Sequence, residues 1–209
     1  MSAFPDWQRS QIHLAAFHGN LRQLQQEFSY HGYEDYDIKD KDGITPLLLA
    51  AQAGHVDVCK EILSKTNNVT PRFLHDGRTP LHMATIHGHK EVCELLLEKM
   101  EDVNIADYDG GYTPLHRAAI NGHEEICHLL INKTDNINPK VETGESVLHF
   151  AASKKGLLSI CNIILDKIGD KNPIDKKKNT PFHEAAKGGN MSLVKRILME
   201  SGESQIYSI

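Results

Sequence analysis

Short apolar runs alternate with polar turns along the chain, and the runs are of two kinds. One is built of small and medium residues, as in Pro46-Leu47-Leu48-Leu49-Ala50-Ala51 and Pro114-Leu115-His116-Arg117-Ala118-Ala119. The other sets aliphatics at helical spacing among charged residues, as in Val92, Leu95 and Leu96 or Ile126, Leu129 and Leu130. Thr and Pro open the first kind: a hydroxyl that caps free N–H groups, then the residue that loses nothing at the first helical position. A Gly-His pair closes it at Gly54-His55, Gly88-His89 and Gly122-His123, glycine being the residue suited to a helix C-cap. Turns such as Asp42-Gly43 and Asp76-Gly77 then reverse the chain. The pattern predicts a unit of turn, inner helix, turn and outer helix.

That unit returns at a nearly constant interval, beginning at Thr45-Pro46-Leu47, Thr79-Pro80-Leu81-His82, Thr113-Pro114-Leu115-His116, Ser146-Val147-Leu148-His149 and Thr180-Pro181-Phe182-His183. A degenerate copy starts at Ser10-Gln11-Ile12-His13. The motif resembles the T-P-L-H-x-A signature of the ankyrin-repeat family. The resemblance spans residues 10 to about 199 and implies an all-α ankyrin-repeat solenoid of six repeats, degenerate caps included, in a single domain 1–209. The repeats fall at about 10–43, 44–77, 78–111, 112–144, 145–178 and 179–209. A lone repeat cannot bury its own apolar face, so stacking is compulsory and the ends need caps. Phe4 and Trp7 are expected to cover the first repeat, and Leu193, Val194, Ile197 and Leu198, interleaved with charges, to close the last. Leu48 stands in place of the usual His, Thr85 of the second Ala and Lys178 of the turn Gly, and one extra residue precedes Gly156. Repeats five and six are therefore expected to be less regular.

The repeat changes the reading of residues that would otherwise suggest chemistry. Cys59, Cys93, Cys127 and Cys161 are evenly spaced, one to a repeat, hence equivalent. Stacked helices lie about 8–10 Å apart, farther than the roughly 7 Å limit for a disulfide, so reduced, buried thiols are expected. Of the 13 histidines, His13, His82, His116, His149 and His183 fill the signature slot, and His55, His89 and His123 follow the helix-ending Gly. In the ankyrin-repeat family such histidines resemble a hydrogen-bond ladder between turns and repeats. His18, His31, His75, His87 and His128 show no metal-binding spacing, and no phosphate loop, nucleophile elbow or C-x-x-C occurs. No catalytic residue, cofactor or metal is expected.

Charge narrows the partner. Residues 1–110 carry 10 basic and 17 acidic side chains, net -7, whereas residues 111–209 carry 13 and 11, net +2. An overall charge of -5 argues against nucleic acid. No run of about 18 apolar residues or signal-peptide pattern is present, so membrane insertion is not expected. Reduced cysteines point to a cytoplasmic location, with the nucleus as the alternative, and a monomer is expected.

In this family the concave face, made of turn tips and the exposed side of inner helices, binds other proteins. The variable positions there read Asp42, Ile44, Leu49 and Gln52; His75, Arg78, Met83, Ile86 and His87; Tyr108, Asp109, Tyr112, Arg117, Ile120 and Asn121; and Glu142, Phe150, Ser153 and Lys154. Tyr, Arg, Met and Phe are enriched in interface cores. The candidate partner-binding residues are Arg78, Met83, Ile86, His87, Tyr108, Tyr112, Arg117, Ile120 and Asn121. Leu49, Met83 and Phe150 either line that face or pack against the next inner helix. Tyr108 and Tyr112 flank the inserted Gly110-Gly111, where no core is expected to take them. The link from Tyr30 to Asp37, with three of the six tyrosines, is either a grip for a basic partner or a solvated loop. Asn104 and Asn138 resemble the asparagines that an oxygenase hydroxylates in ankyrin repeats, and Tyr207-Ser208-Ile209 resembles a PDZ ligand. The expected function is a non-enzymatic interaction module or adaptor holding a protein segment. The alternatives are a regulatory inhibitor masking a transcription factor or kinase, or an ankyrin effector acting in a host cell.

Overall fold

A computed structural model describes residues 6–32 and 36–200, with side chains from residue 11. Among the described residues there are twelve α-helices, one short 3-10 turn and no strand. Contacts gather the chain into two compact units, 1–109 and 110–209. Phe4, the side chain of Trp7, residues 33–35 and the C-terminal tripeptide lie outside the described residues.

The first unit holds α1 (Asp6–Phe17), α2 (Leu21–His31), α3 (Pro46–Ala53), α4 (Val56–Lys65), α5 (Pro80–His87) and α6 (Lys90–Leu97). Each odd helix pairs with the even helix after it; α1 packs on α3 and α3 on α5, while α2 packs on α4 and α4 on α6. Inner helices thus stack on inner and outer on outer. The inner layer is closed by Ala15, Ala16, Ala50, Ala51 and Ala84, all buried, where small side chains allow close approach. Cys59 and Cys93 fill the same niche between layers, fully buried and free, and burial pushes each thiol up to about 12.

The second unit repeats the plan with α7 (Pro114–Asn121), α8 (Glu124–Ile131), α9 (Val147–Ala152), α10 (Leu158–Lys167), α11 (Pro181–Lys187) and α12 (Met191–Glu200). Inner helices α7, α9 and α11 stack in order, and outer helices α8, α10 and α12 do likewise. The expected irregularity of repeat five is present: α9 has only six residues, and the turn Lys155–Leu157 precedes α10. Without a helix-ending Gly, α9 closes on Ser153 in right-handed geometry. Leu193, Val194 and Ile197 form the buried side of the last helix, α12, the arrangement expected of a closing cap.

The signature residues form the local frame. Thr113 and His116 make a reciprocal capping box at the start of α7, as do Thr79 and His82, Ser146 and His149, and Thr180 and His183. The Thr113 N–H donates to His116 Nδ1 (3.1 Å), and Nε2 lies 3.0 Å from the Pro139 carbonyl in the following turn. His149 Nε2 reaches the Asn179 carbonyl at 3.3 Å, and His13 Nε2 the Ile44 carbonyl at 2.9 Å. The second histidine set joins neighbours at the other end of the inner helices: His55 Nε2 is 2.9 Å from the Phe17 carbonyl and His89 Nε2 2.9 Å from that of Gln52. Gly54 is needed twice over here. Its φ is 81°, and a Cβ on it would lie 2.5 Å from the His89 ring.

Candidate partner-binding surface

The tips of the first unit stack turn upon turn. Leu74 lies over Gly43 and Tyr108 over Gly77, so close that a Cβ on either glycine would fall within 2.5 Å of the overlying side chain. Both remain outward, 64% and 63% exposed. The Tyr108 N–H donates to the Asp76 carbonyl (2.7 Å), which fixes the register of the two turns. Arg72 supports the ring, with its guanidinium carbon 5.2 Å from the Tyr108 centroid, while donating to the Gly77 and Ala106 carbonyls at 3.1 and 3.0 Å. Tyr108 is therefore an exposed aromatic on a rigid mount, which lowers the entropy cost of using it as an anchor.

Behind these tips, α3, α5 and the turn between them enclose a cavity of about 250 Å³. Ile44, Leu48, Leu49, Phe73 and Met83 supply its apolar lining, and Gln52, Asp76 and Arg78 its polar part. Leu49 and Met83 are half-buried, one from each of the two inner helices that border this space. Arg78 sits between two carboxylates, 3.2 Å from Asp76 and 3.8 Å from Asp109. His75 lies 3.9 Å from Asp42. Ile86 is half-buried and His87 exposed, its Nδ1 2.9 Å from the Met83 carbonyl.

The corresponding face of the second unit is more closely packed. Tyr112 is half-buried: Arg117 stacks on it at 4.3 Å, and Phe150 lies 5.8 Å from it and from the His116 ring. The expectation that no core takes Tyr112 is thus corrected, because Phe150 from the next inner helix leans back onto it. Phe150 accordingly packs against the preceding repeat. Ile120 is half-buried and Asn121 exposed, its Nδ2 donating to the Arg117 carbonyl at 2.8 Å. Lys154, Lys155, Lys176, Lys177, Lys178 and Lys187 are all exposed. Gly122, the pad on which a histidine of the next repeat would rest, has nothing within 4 Å, since repeat five lacks the Gly-His pair.

Tyr36 also departs from expectation. It stacks on Phe28 with centroids 3.5 Å apart and is 7% exposed, so it belongs to the core rather than to an external grip. Tyr30 remains exposed.

Sequence reasoning missed one constellation, because its members lie on two outer helices. The Ser159 hydroxyl donates to the Glu124 carboxylate and is 3.3 Å from His128 Nε2, with His128 and Glu124 4.0 Å apart. A nucleophilic triad runs from hydroxyl to imidazole to carboxylate. Here the carboxylate accepts the hydroxyl directly, a contact that ties α8 to α10. Among the described residues no group of three or more His, Cys, Asp or Glu converges as metal ligands. No helix among them is long and apolar enough to cross a membrane.

Asn138 Oδ1 accepts the Leu148 N–H (2.9 Å), and Asn172 Oδ1, one repeat on, accepts that of Phe182 (3.1 Å). This slot secures each turn to the next inner helix. Asn104 is the equivalent position by spacing one repeat earlier and is half-buried.

A family model for ankyrin repeats in three copies matches residues 12–107, 75–143 and 100–176, and a model for the single ankyrin repeat matches residues 177–207. No match is found among curated proteins.

Proposed function

The chain belongs to the ankyrin-repeat family, whose members are generally protein–protein interaction modules, and on that premise we propose that it is a non-enzymatic adaptor holding a segment of a partner protein on its turn tips and inner helices. The observation that carries this reading is the first unit's face, where exposed Tyr108 and Leu74 stand beside an apolar cavity. Large apolar side chains displayed on a rigid frame are what a recognition surface needs. The signature histidines cap the inner helices and the four cysteines are buried and free. Arg78, Met83, Ile86, His87 and Tyr108 are the proposed contacts of the first unit, and Arg117, Ile120 and Asn121 those of the second, where Tyr112 supports Arg117. The test replaces Arg78, Met83 and Tyr108 by Ala and compares partner capture with a control changed at Lys60 and Glu94 on outer helices. Capture is expected to fall only in the first variant; equal capture would place the contact elsewhere.

A regulatory inhibitor is the second reading, favoured by the charge divide between net -7 and net +2 halves. An acidic half covering a basic patch would bind less well as salt rises, because exposed charges are screened beyond about 8–10 Å. Salt-insensitive binding counts against it. We further propose a cytoplasmic or nuclear, monomeric protein, and Asn104 and Asn138 as substrates of an asparaginyl hydroxylase. Incubation with such an enzyme should add the mass of one oxygen at each, and unchanged peptides would remove that assignment.

A further inference from the structure

Leu48 occupies the slot that is histidine in every other repeat. At His116 and His149 that ring spans from its own capping Thr or Ser to a carbonyl of the following turn. Leucine can do neither. It is buried, and instead of bridging polar groups it lines the cavity between α3 and α5 with Ile44, Leu49, Phe73 and Met83. The substitution therefore turns a polar joint into an apolar receptacle in one repeat. At about 250 Å³ the space falls just below the roughly 300–1,000 Å³ of pockets for drug-sized molecules, which suits a single inserted side chain.

The rim shows what should flank that side chain. Asp42, Asp76 and Asp109 stand at the tips of the three turns, with Lys41, Arg72, His75 and Arg78 on the same turns. Arg78 is already shared by Asp76 and Asp109, so an incoming carboxylate would compete with two resident ones. An incoming cation meets the turn-tip carboxylates of Asp42, Asp76 and Asp109, on a unit whose residues 1–109 carry 17 acidic and 10 basic side chains. Such complementarity speeds encounter and disfavours acidic segments.

We propose that the cavity lined by Leu48 and Met83 takes one large aliphatic or aromatic side chain of an extended partner segment, with Lys or Arg beside it facing Asp42 and Asp109. This rests on the reading of the chain as a protein-recognition module and specifies what it recognises. The other occupants, a second copy of the chain or a small apolar molecule, are outcomes of the test below.

Random dodecapeptides displayed on phage are selected against the full chain, and the enriched peptides are measured as synthetic, fluorescein-labelled probes by anisotropy. Two variants serve as counter-targets: Leu48→His, which restores the residue the other repeats carry and is therefore compatible with the fold, and Met83→Gln, at a half-buried position. Circular dichroism verifies that both are helical. The expected peptides combine Leu, Ile, Met, Phe or Trp with an adjacent Lys or Arg and are poor in Asp and Glu. Their affinity should fall about tenfold for each variant, since the anchor loses its apolar contact, and weaken further as salt rises. Peptides that lack this pattern, or that bind wild type and variants alike, overturn the proposal while leaving protein recognition standing. Failure to enrich any peptide counts against both. Concentration-dependent dimerisation abolished by Leu48→His would assign the cavity to a second copy and overturn the proposal. So would enriched peptides with no basic residue that are displaced by a small apolar competitor.

Discussion

Replacing His116 by Ala should destabilise the protein through two stranded groups and a hole. The His116 ring is fully buried, with Nδ1 accepting the Thr113 N–H at 3.1 Å and Nε2 3.0 Å from the Pro139 carbonyl. Thr113 is itself buried, so its N–H would be left without an acceptor, at a cost of about 1–3 kcal/mol. The Pro139 carbonyl is half-buried and can turn to water, so its loss is about 1 kcal/mol. Vacating the ring's place beside Tyr112 and Phe150 adds a cavity contribution, bringing the total to about 3–5 kcal/mol. His116→Leu fills the volume, as Leu48 does in repeat two, and leaves mainly the stranded N–H, about 1–3 kcal/mol. His87→Ala, at an exposed ring, should stay within about 0.5 kcal/mol. Urea unfolding by far-ultraviolet circular dichroism gives the order, and hydrogen exchange at the Thr113 amide reports the joint directly. Repeat arrays can depart from two-state behaviour, so the amide is the cleaner readout. A loss below about 1 kcal/mol for His116→Ala, or an equal loss for His116→Leu, would refute the scaffold role of the signature histidines.

Lys178 has φ 64° at the turn position where Gly43, Gly77 and Gly144 have φ 76°, 68° and 87°. Left-handed backbone costs a side-chain-bearing residue about 1–2 kcal/mol, and glycine's looser unfolded state takes back about half, so Lys178→Gly should stabilise by about 0.5–1 kcal/mol. A thermal melt no higher than wild type would contradict this. Burial pushes the His149 imidazole below its ordinary value, outweighing the bond to Asn179 and the nearby Asp175. The unfolded chain therefore takes up this proton more readily, and the stabilisation present above about pH 6.5 is lost as pH falls toward the lowered value. His149→Gln should flatten that part of the stability–pH curve, and an unchanged slope would exclude His149 as its source. Burial pushes all four cysteine thiols up to about 12. At about pH 8 a thiol-reactive disulfide reagent should modify none in the native chain and all four in urea; rapid native labelling would contradict their burial.

The helix pairs, their caps and the scaffold role of the histidines were legible because each signature residue acts locally and recurs. Thr113 and His116 are three positions apart, and a capping box needs nothing beyond its own turn. The even spacing of the cysteines likewise placed them at one slot of the stack. The surface was only partly legible. Tyr108 and Tyr112 look alike on either side of Gly110-Gly111, yet Tyr108 stays outward over Gly77 while Tyr112 is covered by Phe150 of the following inner helix. That difference depends on the neighbouring repeat's side chain, which local pattern does not encode. Tyr36 in its polar link gave no sign of stacking on Phe28, because the two lie eight residues apart with no shared periodicity. Leu48 was visible as a departure from the motif, but the cavity it lines requires Phe73 of the following turn and Met83 of the next repeat to be in place. The cluster adds Ser159 of the following repeat to the i,i+4 pair Glu124 and His128, a meeting that no local spacing signals.

Recognition through the turn tips and inner helices is tested most directly by photo-crosslinking. Benzoylphenylalanine is placed singly at Tyr108 and His87 on that face, and at Lys60 and Glu94 on outer helices, in the otherwise unchanged chain. Irradiation in cell extract should yield a discrete covalent adduct with the same partner from positions 108 and 87 and none from 60 or 94. Adducts confined to the outer-helix positions would contradict recognition through this face.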